Sequence, residues 1–250
     1  MKAFAPLLML AGTLMLAGPV SAQPDGAHGQ PATRSLYLNL IQQARADGRA
    51  RAAIAFLDDY DRHYPGDVEA RVLRINCLLD LRQIDEAETV MTRLRPADQT
   101  GRFAAQVDAV RGHVLAARDR WSDAVPFYTA AVAADPTSAW LRNALGYSLL
   151  RDHQADRAVE ALRDARDLAP ESEIIRNNLW LAYAMSGRGQ LLTHALDSLP
   201  DRDASADLRR RIEAEATRLR RMAVVTPVAT APLAAAAPHQ TVSTLVEKAF

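Results

Sequence analysis

A 34-residue period restricts this 250-residue chain more than any other feature. Pro136 and Pro170 stand 34 residues apart, as do Gly112 and Gly146, Ala124 and Ala158, and Ala131 and Ala165. Ala53 and Ala87 continue the series, and Pro65 falls where Pro136 and Pro170 do. The frame divides the chain into units 34–67, 68–101, 105–138, 139–172 and 173–206, with Arg102-Phe103-Ala104 as three extra residues. From Leu36 to Met222 apolar residues recur at three- and four-residue spacing, and no convincing strand alternation interrupts them. Helical supersecondary units repeated at such a period cannot bury their apolar faces singly, so they stack.

Each recurrent residue has a mechanical reason. Gly112 and Gly146 let the first helix of a pair approach the second, and Ala53, Ala87, Ala124 and Ala158 do the same from the partner helix. Leu57, Met91, Tyr128 and Leu162 fill the space between units, while proline ends each unit because it cannot continue a helix interior. Some positions depart from the pattern. Unit two has Ile75 at the glycine position, Arg74 where leucine is usual and Gln99 for the proline; unit three has Arg111 beside its glycine; unit five has Trp180 for glycine and Leu192 for alanine. On Leu145-Gly146, Ala158, Leu162, Ala165 and Pro170 in unit four, and Tyr37, Leu40, Ala53, Leu57, Tyr60 and Pro65 in unit one, the chain resembles the tetratricopeptide repeat (TPR) family. The resemblance implies an all-α solenoid of about five helix–turn–helix repeats.

The flanks read differently. Leu208, Ile212, Leu219 and Met222 form one helical stripe, predicting a capping helix over 207–223 that covers the open end of the array. Residues 224–250 turn rich in Ala, Pro and Thr and read as a disordered tail, with 23–33 a similar flexible lead-in. At the start, Met1-Lys2 precede an uncharged run from Ala3 to Val20 and small residues at Val20-Ser21-Ala22. That is the layout of a secretory signal peptide over 1–22, cleaved after Ala22 and implying a periplasmic protein; an uncleaved anchor is the other reading such a run allows.

Little in the chain suggests catalysis. The six histidines are scattered without metal-ligand spacing, and neither a G-x-S-x-G nucleophile turn nor a glycine-rich phosphate loop is present. Cys77 is the lone cysteine and reads as a small buried apolar residue. Zero formal net charge offers no electrostatic footprint for nucleic acid. The excess of arginine over lysine, which occurs only at 2 and 248, accompanies no phosphate-binding spacing and reads as coding bias. The expectation is a non-enzymatic protein with no cofactor, no metal and no small-molecule substrate, working through protein partners.

In TPR solenoids the first helix of each pair lines a concave surface through positions 2, 5, 6, 9, 12 and 13 of the unit. The resemblance therefore implies a partner-binding groove of Asn39, Asn76, His113, Trp140, Asn143, Tyr147, Arg151, Asn177, Asn178 and Leu181, with Glu69 and Ile174 beside them. An amide can donate to and accept from a peptide backbone at once, and aromatic residues supply anchor pockets. A clamp for a C-terminal carboxylate would need lysines on several first helices, and there are none. More narrowly, Asn143-Ala144-Leu145-Gly146-Tyr147, then Arg176-Asn177-Asn178-Leu179 and Gly187-Arg188, resemble the paired repeats of the TadD-type proteins of tight-adherence (Flp) pilus assembly. That resemblance implies a periplasmic assembly factor for a pilus or type II-like secretion apparatus, with secretion subunits such as the outer-membrane secretin as partners and a peripheral association with the envelope. A scaffold for polysaccharide export or cell-wall synthesis is the alternative.

Overall fold

In the computed structural model, which describes residues 31–225 apart from 96, 97, 99 and 100, left-handed backbone occurs at Gly66 and Gly101 and, within the helical pairs, at Gly48, Arg82, Asp119, His153 and Gly187, the last five with φ between 57° and 75°. Their spacings are 34, 37, 34 and 34 residues, so each stands at the same place in its unit, and the longer interval contains the three extra residues. Each reverses the chain between two antiparallel helices. The pairs are α1 (Pro31–Ala46) with α2 (Ala50–His63), α3 (Val68–Asp80) with α4 (Ile84–Met91), and α5 (Ala104–Ala117) with α6 (Trp121–Ala134). They continue with α7 (Ala139–Arg151) and α8 (Ala155–Leu168), then α9 (Glu173–Met185) and α10 (Gly189–Asp197), and end with α11 (Arg202–Val225). No strand occurs among the described residues, and the architecture is the expected all-α solenoid.

Three first helices start by one local rule. Asp67, Ser138 and Ser172 each lie two residues after a unit-ending proline, and each side chain accepts a hydrogen bond from the first helical turn. Asp67 also joins units one and two. The buried Tyr60 hydroxyl donates to its Oδ2 at 2.6 Å, and Arg34 Nε donates to the same oxygen at 2.8 Å. Burial alone would raise the Asp67 pKa, but the Tyr60 and Arg34 bonds outweigh it and hold the carboxyl below its ordinary value.

Closeness within a pair follows the glycine position. A Cβ on Gly112 would come within 2.8 Å of the Tyr128 ring, and one on Gly146 within 2.4 Å of Leu162 Cγ. Accordingly α5 with α6 and α7 with α8 are the most intimately packed pairs. Units two and five carry Ile75 and Trp180 there, and their pairs are looser. Ala53, Ala87, Ala124 and Ala158 are all fully buried where the helices meet.

The flanks depart from expectation in detail. The first helix begins at Pro31, inside the stretch expected to be flexible, and the last begins at Arg202, five residues before the predicted cap. Helix α11 packs chiefly on α9 and secondarily on α10. It uses Ile212, Ala216 and Leu219, whereas Met222 is 41 % exposed because it lies a turn beyond the covered stripe. Leu40, matched to the repeat's leucine, is 47 % exposed; it lies in the first unit, which among the described residues has a neighbouring unit on one side only. Cys77 is fully buried, and burial pushes its thiol up to about 11. The predicted signal peptide, the rest of the lead-in and the tail from 226 onward lie outside the described residues. No described helix is long and apolar enough to cross a membrane.

The arginines have a structural use between units. Arg45 pairs with Asp80 at 2.6 Å, Arg118 with Asp85 and Glu88, Arg151 with Asp119 at 3.2 Å, and Arg188 with Asp156 at 3.0 Å. Each pair ties one unit to the next near its helical turn. Arg45 and Arg118 each make two such contacts, for which a forked, permanently charged guanidinium is better suited than an ammonium.

Candidate functional site

Between the first helices α3, α5 and α7 lies a cavity of about 330 Å³. Val72 and Leu79 from α3, Ala109 and Val110 from α5, and Leu141 from α7 give it an apolar floor. Three residues expected in the groove come together here, Asn76 on α3, His113 on α5 and Trp140 on α7. Arg45 of α1 and Asp80 border one end, and Asp135 borders the other.

The His113 ring is held by aromatic neighbours. Trp140 packs edge-on against it at 4.9 Å and 89°, and the Tyr128 ring lies 5.5 Å away, tilted. Burial, aided by the Arg45 cation, lowers the His113 pKa to about 3, so the imidazole is neutral at any ordinary pH. Its Nε2 is buried with no hydrogen-bond partner. Trp140 remains 45 % exposed, unlike Trp121 and Trp180.

Of the charged groups at the border, Arg45 and Asp80 are paired and Asp135 is engaged through one oxygen. Arg45 donates twice to Asp80, from Nε at 2.6 Å and from Nη2 at 3.3 Å. Asp135 accepts from both the backbone N–H and the hydroxyl of Thr137. The neutral groups are not engaged: among the described residues neither the Asn76 amide nor the Trp140 indole N–H finds a hydrogen-bond partner. The site is therefore a half-apolar recess whose interior polar groups without partners, the Asn76 amide, the Trp140 N–H and His113 Nε2, are uncharged, with one oxygen of Asp135 left open at the border.

The other expected groove residues are placed elsewhere. Asn143 and Asn178 are 1 % and 0 % exposed and bonded to each other, the Asn178 Nδ2 donating to Asn143 Oδ1 at 2.9 Å. This corrects the expectation that they face a partner: the two amides are buried against each other in this one bond, with Asn178 Oδ1 left unpartnered. Leu181 is fully buried in the core, and Tyr147 is buried edge-on to Trp121 at 5.8 Å, so neither lines an open surface. The Arg151 guanidinium lies 4.3 Å over the Trp121 ring and pairs with Asp119, which occupies it structurally. Asn39 is exposed on α1 away from the cavity, and Asn177 is half-buried with its Oδ1 unpartnered. Glu69 accepts from Arg34 at 3.1 Å.

Arg45, Leu79 and Asp80 were not singled out from the sequence, although they occupy positions 12 and 13 of their units. The same positional series that gave Asn76 and His113 contains them. No described group of three or more His, Cys, Asp and Glu side chains could hold a metal ion.

Residues 44–109 match the tetratricopeptide repeat family. Comparison with the curated proteins finds no match. Among solved structures the chain is similar to MamA (residue 41 to its end) from Desulfovibrio magneticus RS-1, at 24 % identity and TM-score 0.50, covering 78 % of this chain and 98 % of that one. It is similar to a thermophilic TPR protein, TTC0263, of Thermus thermophilus, at 24 % identity and TM-score 0.55, covering 74 % and 99 %. It is also similar to YrrB, described as a TPR protein with an unusual peptide-binding site, at 17 % identity and TM-score 0.52, covering 73 % and 90 %. Residues 44–109 thus carry a tetratricopeptide repeat, within a chain whose fold is that of the tetratricopeptide solenoids.

Proposed function

We propose that this protein is a non-catalytic scaffold that captures a segment of a partner protein in the recess between α3, α5 and α7. The observation that carries the reading is the convergence there of Asn76, His113 and Trp140, polar side chains without internal partners over an apolar floor. Polar groups left without internal partners beside an apolar floor are what a recognition surface needs. YrrB, of the same fold, is described as having a peptide-binding site, which agrees with this use of the surface.

The setting we propose is the bacterial periplasm, as an assembly factor of a tight-adherence pilus or type II-like secretion apparatus. The uncharged N-terminal run ending at Val20-Ser21-Ala22 supports export, and the Asn143–Tyr147 and Arg176–Leu179 segments support the pilus resemblance. Export makes N-terminal sequencing of protein from the envelope fraction begin at Gln23; a start at Met1 in the cytosol rejects it. A photo-cross-linking residue in place of Asn76 is expected to form an adduct with a pilin, secretin or secretion subunit identified by mass spectrometry. The same residue in place of the exposed Glu160 on α8 serves as the control. Adducts with glycosyltransferases or cell-wall enzymes would transfer the protein to the alternative system, and equal labelling from both positions would refute the groove.

A further inference from the structure

Resting on that reading of the groove, we infer that the recess between α3, α5 and α7 takes the side chain of a tyrosine in the partner segment. The argument begins with size. About 330 Å³ is roughly eleven times the ~30 Å³ share of one water, at the lower end of the range for ligand sites. That suits one large side chain rather than a helix or a folded element.

Charge comes next. Arg45 and Asp80 neutralise each other through two hydrogen bonds, and Asp135 already accepts two from Thr137. A carboxylate entering the recess would find its one cation committed, and a guanidinium or ammonium would lose its water over an apolar floor with only the one open oxygen of Asp135 at the border to answer it. The occupant is neutral.

Its polarity follows from what is left over. Val72, Leu79, Val110 and Leu141 offer apolar contact, and the half-exposed Trp140 offers an aromatic face and edge, which a second ring meets offset or edge-on. The neutral His113 carries Nε2 buried without a partner, a state that costs stability until a hydrogen-bonding group reaches it. An aliphatic side chain or phenylalanine satisfies the floor and the indole but leaves Nε2 unpaired. Tyrosine satisfies all three, its ring against Trp140 and its hydroxyl on Nε2, while the Asn76 amide is placed to bond the segment's backbone. Nε2 is hidden from solvent, so the tyrosine reaches it by displacing the Trp140 indole that packs edge-on against the imidazole.

The test uses the full chain and blocked pentapeptides Ala-Ala-Xaa-Ala-Ala with tyrosine, phenylalanine, leucine or arginine at the centre, titrated by calorimetry. The tyrosine peptide is expected to bind about fivefold more tightly than the phenylalanine one, the contribution of a neutral hydrogen bond. Leucine and arginine are expected to bind more weakly still. Tryptophan emission excited beyond tyrosine absorption should shift on binding, because Trp140 is the exposed tryptophan. His113→Phe should bring the tyrosine-to-phenylalanine ratio to about one, and Asn76→Ala should weaken both aromatic peptides alike. Equal or tighter binding of phenylalanine by the intact chain, or preference for arginine or leucine, overturns the tyrosine assignment. If no peptide binds while the cross-linker at position 76 still captures a subunit, the tyrosine pocket is wrong and the groove stands; if both fail, both readings fall. Should His113→Phe not fold, the ranking by the intact chain and by Asn76→Ala still decides.

Discussion

At the scale of single residues, packing distance separates positions that look alike in the sequence. Gly146 is one of several glycines, but a Cβ there would overlap Leu162 Cγ at 2.4 Å, whereas nothing lies within 4 Å of one on Gly189. Gly146→Ala is expected to destabilise the protein by about 1–3 kcal/mol through overpacking, despite alanine's better helix propensity. Gly189→Ala should be neutral or slightly stabilising, and urea unfolding of the two variants compares them directly. An equal response would mean that α7 and α8 are not held at the spacing described. The 34-residue recurrence made Gly146 legible in advance. It could not reveal that Asn143, four residues before Tyr147, turns inward, since an amide on a first helix satisfies the pattern whether it meets solvent or another amide.

At the scale of helices, two polar links between neighbouring units are open to measurement. Asn143→Ala strips the Asn178 amide of its buried partner and should cost about 2 kcal/mol in urea unfolding. Converting both to leucine should recover most of that loss, because no polar group is then stranded; a double variant as unstable as the single one would show that the amides matter by shape alone. Asp67 gives a pH-dependent link. Its folded pKa lies below the ordinary 3.8, so its contribution is fully present above that value and is lost as pH falls through the folded pKa. Asp67→Asn keeps a capping oxygen but loses the ion pair with Arg34, and should cost about 1 kcal/mol at neutral pH. The two proteins should converge in stability as pH falls through the folded pKa, where the native carboxyl also becomes neutral. Thermal melts across pH check the sign, and a constant gap would remove the carboxylate from the account. The cap itself was readable as a polar residue after proline. Its bonds from Tyr60 and Arg34 tie the two helices of unit one to the start of α3 and have no signature along the chain.

At the scale of the whole molecule, the solenoid depends on how its ends are closed. Helix α11 buries Ile212, Ala216 and Leu219 against α9 and α10, where the fifth unit carries Trp180 and Leu192 at positions that elsewhere bring two helices close. Truncation after Pro200 should forfeit about 4 kcal/mol of apolar burial and expose the covered face of α9. The expected outcome is a lower melting temperature and self-association seen by size exclusion with light scattering; a monomer of unchanged stability would show that α11 is an appendage rather than a cap.

The sequence by itself determined the repeat, because glycine, alanine and proline at fixed intervals leave one way to turn and stack helices. The left-handed turns at residues 48, 82, 119, 153 and 187 keep that interval, lengthened by three where three residues are added. Only the tertiary structure decided which polar residues are engaged within the fold and which are left over. Asn143 and Asn178 sit on the same helical series as Asn76, and nothing local distinguishes them. They are separated by whether the adjacent unit brings a second amide within 2.9 Å or leaves a recess of about 330 Å³. That depends on the distance between units, set jointly by side chains more than thirty residues apart, and so is absent from any single stretch of the chain.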